Sequence, residues 1–441
     1  MHVFNLAFVA ASVLALQAAG QSYNETLYNN YNYCQGITPV AKQTYQPIAA
    51  AKLLKVQVMM RHGDRTPTAV LPGKQVDYDI CSNPAELTSV GGNSKTQSPL
   101  LKPLITITED NPFADIFWTG NCEVGQLTDR GQNQTFQVGK DLRGIYVDLL
   151  KFIPQFLDTS KLYVRNTYVW RTRVSAENML NGLYPLPCRS PGVEIEMDTF
   201  PETIETMTLN TACAKGVSIY EAFIKTPTFL NFYKQNYALM TKINTILGVE
   251  NIAQTNETLN GDTLMPRYCN NIPLPCSATN SSDCITGDEA AQAIAGTMFY
   301  AHGPLRYEAG AEEAKRLTSG PFLKTLANGI RGTVNGTSGV KPFEFYSAHD
   351  ATIDQNLAVI ADPDTPWPGY ASTLILETWE LEANSTTGAK AGDQVVRALF
   401  EGRVVPANPN LNCTLDACPL DTFLSFIESY VPADMMSECA M

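Results

Sequence analysis

Histidine is nearly missing from this chain: His2, His62, His302 and His349 are the only four in 441 residues. Cysteine is better represented, with 11 residues, yet no two of them stand as C-x-x-C. A zinc site, which draws on imidazoles or paired thiolates, is therefore not expected, and no metal or other cofactor is called for. Basic residues are short as well. The 31 Lys and Arg against 44 Asp and Glu leave a formal net charge of −13, which argues against nucleic acid or anionic lipid as a partner. Past the first residues no apolar run is long enough to cross a bilayer, and there are no internal repeats.

The amino-terminal residues are of another kind. Phe4 to Leu16 is apolar, and Ala18-Ala19-Gly20 offers small residues for cleavage, so residues 1–20 are expected to be a signal peptide with Gln21 as the new terminus. The N-x-S/T sequons at Asn24, Asn256, Asn280, Asn335, Asn384 and Asn412 suit a secreted glycoprotein. Asn133 is a further sequon, but its helical surroundings make it the poorest acceptor. In that oxidising setting the cysteines are expected to form disulfides, and their odd total leaves one thiol unpaired. The expected product is soluble and extracellular, with no membrane anchor.

Roughly four hundred residues exceed the usual size of a single core, so an α/β domain with an insertion is expected. Leu53 to Met60 reads as a buried strand. Leu127-Thr128-Asp129-Arg130-Gly131 opens a helix in which Val138, Leu142, Ile145, Tyr146 and Leu149 recur at three and four. Leu162 to Val164 is a second strand and Val174 to Leu183 a second helix, an alternation that implies a parallel sheet. From Cys188 to Gly339 the pattern turns to helices and loops. Ile219 to Leu247 contains long helical stretches, and Thr286 with Glu289 forms a capping box before Ala290 to Tyr300. The sheet resumes at Phe343-Glu344-Phe345, and Ser372–Glu382 and Gln394–Phe400 read as hairpin strands. The fold class expected is α/β, a mostly parallel sheet flanked by helices, with residues 50–187 and 340–441 as the core and 188–339 as a smaller helical insertion.

Two strand ends carry the chemistry. The first is Arg61-His62-Gly63-Asp64-Arg65-Thr66-Pro67, directly behind the run Leu53–Met60. Two guanidiniums, each a planar fork of N–H donors, bracket one imidazole, an arrangement that suits the oxygens of a phosphate. Flanked by two cations, the imidazole is poorly placed to be a resting cation and well placed to attack phosphorus. The second is Tyr346-Ser347-Ala348-His349-Asp350. His302, in Tyr300-Ala301-His302-Gly303-Pro304, has no motif around it and reads as a structural or helix-terminal residue.

These segments resemble the signatures of the histidine acid phosphatases, in the prostatic and lysosomal branch. Tyr163-Val164-Arg165-Asn166-Thr167-Tyr168-Val169-Trp170-Arg171-Thr172 resembles the family's third segment, with Trp170 where an acidic residue is usual. The resemblance implies phosphate monoesters as substrates, held by Arg61, Arg65, Arg171 and His349. It implies His62 as nucleophile, forming phosphohistidine, and Asp350 as proton donor to the leaving alcohol. Asp350 would also serve as the N-cap of a helix starting at Ala351, and Asp64 is expected to fix the arginines and the turn. The tail resemblance implies the bridges Cys413–Cys418 and Cys213–Cys439. Cys269 resembles half of a further bridge whose partner position is Thr373 here; Cys276 and Cys284 are alternative partners, and the pairing of Cys34, Cys81, Cys122, Cys188, Cys269, Cys276 and Cys284 is open at this point. A phytase of the same fold is the alternative, set against by Asp64 and by Ala351-Thr352 after the second motif. A catalytically idle secreted binding protein is the other, set against by retention of all the motif residues. Homodimerisation is left open.

Overall fold

The computed structural model describes residues 31–71, 77–81, 85–86, 100–101, 104–108, 110–113, 117–249, 260–308, 310–383 and 390–440. The expected leader and the sequons at Asn24, Asn256 and Asn384 lie outside them. Down the chain run β1 (Ala51–Arg61), α1 (Asp129–Leu142), β2 (Leu162–Asn166), α2 (Trp170–Leu183) and β3 (Asp198–Thr199). Then come α3 (Ala214–Phe223), α4 (Pro227–Ile246), α5 (Gly261–Cys269), α6 (Gly287–His302) and α7 (Ala311–Val334). The remainder is β4 (Phe343–Ala348), α8 (Asp350–Ile360), β5 (Thr373–Leu381), β6 (Gln394–Phe400), β7 (Arg403–Val404), β8 (Cys418–Pro419), α9 (Leu420–Glu428) and α10 (Met435–Cys439).

The strands form one sheet in the order β8-β6-β5-β1-β4-β2-β3, with β7 paired to β6. Strands β1, β4, β2 and β3 run parallel, as the strand–helix alternation predicts. Strands β5, β6 and β8 extend the sheet antiparallel, so it is mixed, with the two expected hairpin strands supplying the antiparallel half. Side chains of β1 alternate between two cores. Met59 faces Phe322, Leu326 and Ile330 of α7, Leu357 of α8 and Phe423 of α9. Val56, Val58 and Met60 face Val138 and Leu142 of α1 and Met179 and Leu183 of α2. Burial on both faces explains why β1 reads as a continuous apolar run.

Local sequence accounts for several helix limits. The helical stretches expected over Ile219–Leu247 are two helices, divided where Thr226 caps a new one with Pro227 at its first position. The capping box of Thr286 and Glu289 is present with both of its bonds. The three-and-four pattern after α1 continues through a wider turn at Arg143–Leu149, where the Leu150 N–H donates to the Ile145 carbonyl. Helix α7, placed in the insertion by the division at 339, packs on the sheet through Phe322, Leu323, Leu326 and Ile330. A separate core of Phe223, Phe229, Phe232, Met240, Ile243, Leu264 and Phe299 joins α3, α4, α5 and α6.

Five disulfides close the chain: Cys34–Cys269, Cys81–Cys122, Cys213–Cys439, Cys276–Cys284 and Cys413–Cys418. Cys188 is the free thiol. Cys269 is therefore bonded to neither Cys276 nor Cys284. Its partner is Cys34, 235 residues away, a separation at which spacing carries no information.

Under the antiparallel half lies a buried polar hub. Glu377 accepts hydrogen bonds from the hydroxyls of Tyr45 and Tyr146, from the Trp379 indole and from Arg397, whose Nη2 is 2.6 Å away. Arg397 also donates to the Gln46 carbonyl. Removing one partner of such a pair strands a buried charge, which costs about 3–5 kcal/mol. Glu377→Ala is expected to lower folding stability by that amount in urea titration. Glu377→Leu combined with Arg397→Met is expected to recover most of the loss.

Candidate active site

The ladder sets the site. Arg61 on β1 is level with Ala348 on β4, and Asn166 on β2 is level with Ser347. His62, His349 and Thr167 therefore each follow a strand that ends at the same edge, the ligand edge of open α/β sheets. The His62 N–H donates to the Ala348 carbonyl at 3.0 Å, one bond past the ladder. Thr167 Oγ1 lies 2.9 Å from His349 Nε2 and 3.0 Å from Thr172 Oγ1.

Glycine makes the next turn. A Cβ on Gly63 would lie 2.1 Å from the Gly131 carbonyl oxygen, and one on Gly131 would lie 2.0 Å from the Asp64 carbonyl oxygen. The motif loop and the start of α1 thus touch backbone to backbone. Asp64 locks the contact: its Oδ2 accepts from Thr128 Oγ1 at 2.5 Å and from Asn270 Nδ2 at 2.7 Å, and its N–H donates to Gln134. Burial nonetheless pushes its carboxyl pKa up, outweighing those hydrogen bonds.

His62 is buried, and its Nδ1 is 2.8 Å from the carbonyl oxygen of Gly63. A carbonyl only accepts, so Nδ1 carries the proton and Nε2 keeps its lone pair. Burial lowers the imidazole pKa well below its usual value, and the guanidiniums of Arg171, Arg65 and Arg61 lower it further. His349 is likewise lowered, to about 3, by burial and then by Arg171. The ring centroids of the two histidines are 5.6 Å apart.

Each arginine is held differently. Arg61 donates to the Pro368 carbonyl, pairs with Asp350 at 2.8 Å, and lies 4.3 Å over the Tyr370 ring. Arg65 pairs with Asp262 at 2.6 Å. Arg171, in the first turn of α2, forms no ion pair among the described residues, and burial with the nearby Arg65 lowers its pKa to about 10. The Nε–H groups of all three are buried without an acceptor among the described residues. Asp350 is the first residue of α8 and not its N-cap, a place taken by His349, and its carboxylate accepts from the Ala351 N–H at 2.9 Å. Burial pushes its pKa up, but Arg61 and the neighbouring groups bring it below the usual carboxylate value.

The structure therefore brings His62, Asp350, Arg61, Arg65, Arg171 and His349 to one edge, and places His302 in another buried cluster. It corrects one assignment: Asp64 fixes the turn, while the carboxylate on Arg65 belongs to Asp262. Asp262 also accepts from the N–H and hydroxyl of Thr68, and burial opposed by Arg65 leaves its pKa lowered to about 2. Asp262 and Arg65 are 197 residues apart, and no local pattern links them. Tyr370, beneath Arg61, was equally unmarked in the sequence. Among the sequons, Asn133, Asn280, Asn335 and Asn412 are exposed.

Because both neighbours of Gly63 are backbone, the contact cannot relax through a side chain. Gly63→Ala is expected to displace His62 and lower kcat by about 10²-fold or more. Turnover of phosphate esters measures this, and circular dichroism checks that the fold persists.

Comparison with known proteins agrees with this geometry. The model of the Histidine phosphatase superfamily (branch 2) matches residues 52–401. The chain is 26% identical to counting factor 60 of Dictyostelium discoideum, covering 92% of each. It is 24% identical to lysophosphatidic acid phosphatase type 6 of Homo sapiens, over 86% of this chain and 83% of that protein. The structure of Hafnia alvei phytase in complex with myo-inositol hexakis sulphate covers 90% of this chain and 100% of its own, with a TM-score of 0.56 at 14% identity, a likeness of fold alone. With a family model matched over most of its length, the chain belongs to branch 2 of the histidine phosphatase superfamily.

Proposed function

We propose that the protein is a secreted acid phosphatase that hydrolyses phosphate monoesters through a phosphohistidine on His62. The observation that carries this is the bond from His62 Nδ1 to the Gly63 carbonyl, which leaves Nε2 as a bare lone pair among three guanidiniums. An imidazole whose pKa is held well below its usual value remains a nucleophile at acidities where an ordinary histidine would be protonated. Arg61, Arg65, Arg171 and His349 then surround the phosphoryl oxygens, and orientation with charge neutralisation is most of what phosphoryl transfer asks of protein. Secretion is supported by the five disulfides, which persist in oxidising compartments. Among the described residues no helix is long and apolar enough to span a membrane.

In the first step Nε2 attacks phosphorus, the P–O ester bond breaks, and the leaving oxygen takes a proton from Asp350. In the second, water attacks the phosphorus of phosphohistidine with Asp350 as base, the P–N bond breaks, and phosphate leaves. Asp350 is ionised in the free site because Arg61 sits 2.8 Å away. An incoming phosphate dianion shares Arg61 and adds negative charge beside the carboxylate, and both changes raise its pKa. Low pH then supplies the proton, which is the physical reason for an acid optimum.

His62→Ala is expected to abolish turnover. Phosphohistidine is acid-labile, so a substrate labelled in the phosphoryl group should leave label on the His62 peptide after an alkaline quench. Near wild-type turnover by the variant sinks the proposal.

A second measurement isolates Asp350. Alkoxides leave poorly without a proton and p-nitrophenolate leaves well, so Asp350→Asn is expected to slow glycerol phosphate hydrolysis by about 10²–10⁴-fold. The loss in the phosphorylation burst of p-nitrophenyl phosphate should be far smaller. Equal losses on the two esters would remove Asp350 from the acid role.

A further inference from the structure

The segment from Thr167 to Arg171 alternates between pocket and solvent. Thr167 is buried against His349, and Arg171 is partly buried in the field of Arg65 and His62. The two side chains between them that point outward are aromatic: Tyr168 is 44% exposed and Trp170 is 54% exposed. Tyr168 is fixed by a hydrogen bond from its hydroxyl to Glu202 at 3.0 Å. A single exposed aromatic is ordinary on a protein surface. Here two of them stand in the five-residue segment that ends at Arg171, and Tyr168 lies within the field of the Arg171 guanidinium.

Charge around the pocket narrows what can use these two rings. Asp350 and Asp262 each neutralise one guanidinium, so of three arginines one charge is left for the substrate. Beyond the pocket the described rim is acidic, with Glu123 and Glu202 exposed beside Gly125 and Tyr168. On α2 the exposed Arg173 is already engaged by Glu177 at 3.0 Å. One phosphoryl group is provided for. Among the described residues, a leaving group that carries further phosphates meets the carboxylates of Glu123 and Glu202.

We infer that Trp170, with Tyr168 beside it, is a stacking platform that makes the site select monophosphates with an aromatic leaving group. The inference rests on the hydrolase reading above. Aromatic side chains gain from offset or edge contacts with another ring, which a small polyol cannot supply.

Steady-state kinetics of the full chain on naphthyl phosphate and on glycerol phosphate tests it. Trp170→Ala is expected to lower kcat/KM for naphthyl phosphate by roughly three- to tenfold, mainly through KM. The change on glycerol phosphate should be smaller than about twofold, and Trp170→Phe should restore most of the loss. Equal losses on both esters, or none on naphthyl phosphate, overturn the platform. So does a wild-type enzyme that prefers phytate to naphthyl phosphate. Failure of the wild-type protein to hydrolyse any of the three would instead bring down the hydrolase reading itself.

Discussion

Three guanidiniums share one strand-end pocket with a buried imidazole, and the rest of the site answers to that crowding. Buried like charges repel, and each carries a desolvation penalty that only a partner can offset. Two carboxylates meet the need, Asp350 at 2.8 Å from Arg61 and Asp262 at 2.6 Å from Arg65. One comes from the junction of strand β4 and helix α8, the other from the first turn of α5. The imidazole escapes the crowding by staying neutral. The Gly63–Gly131 contact and the Asp64 hydrogen bonds then hold its ring where its own carbonyl fixes the tautomer.

What the sequence revealed follows from how local each signal is. His62, Arg61 and Arg65 stand within five residues of one another, and a buried strand ending in charge is visible without any partner. Strand β1 was equally plain, because helices on both faces demand a continuous apolar run. Asp262 and Tyr370 were not visible, since their roles exist only once the insertion and the β5 strand are folded against β1. The pairing of Cys269 with Cys34 failed to show for the same reason. Asp64 was expected to fix both the arginines and the turn; the chain directs its carboxylate to Thr128 and Asn270, so it fixes the turn, and Asp262 takes Arg65.

His302 shows what an unassigned histidine can do in such a fold. It ends α6 with its Nδ1 2.5 Å from Asp354, which also meets Arg306 at 3.0 Å. Burial, then Arg306, holds the His302 pKa down at about 4. Asp354 lies one turn beyond Asp350 on α8, so this cluster ties the helix that begins with Asp350 to the end of α6. Helices α5 and α6 therefore support both halves of the charge balance, through Asp262 on Arg65 and through His302, with Arg306, on α8.

That support bears on when Asp350 can give up a proton. As the first residue of α8 it sits at the positive end of a helix dipole, accepts from the Ala351 N–H, and pairs with Arg61. All three favour the carboxylate, so the empty site holds a base where an acid is needed. Phosphate entering between the arginines reverses the balance, because it competes for Arg61 and brings like charge against the carboxylate. In the proposed reaction, once the phosphoryl group has passed to His62 and the alcohol has left, the same carboxylate is again unprotonated and can act on the attacking water. One residue can thus serve both steps without moving, provided α8 stays fixed while the charge beside it changes.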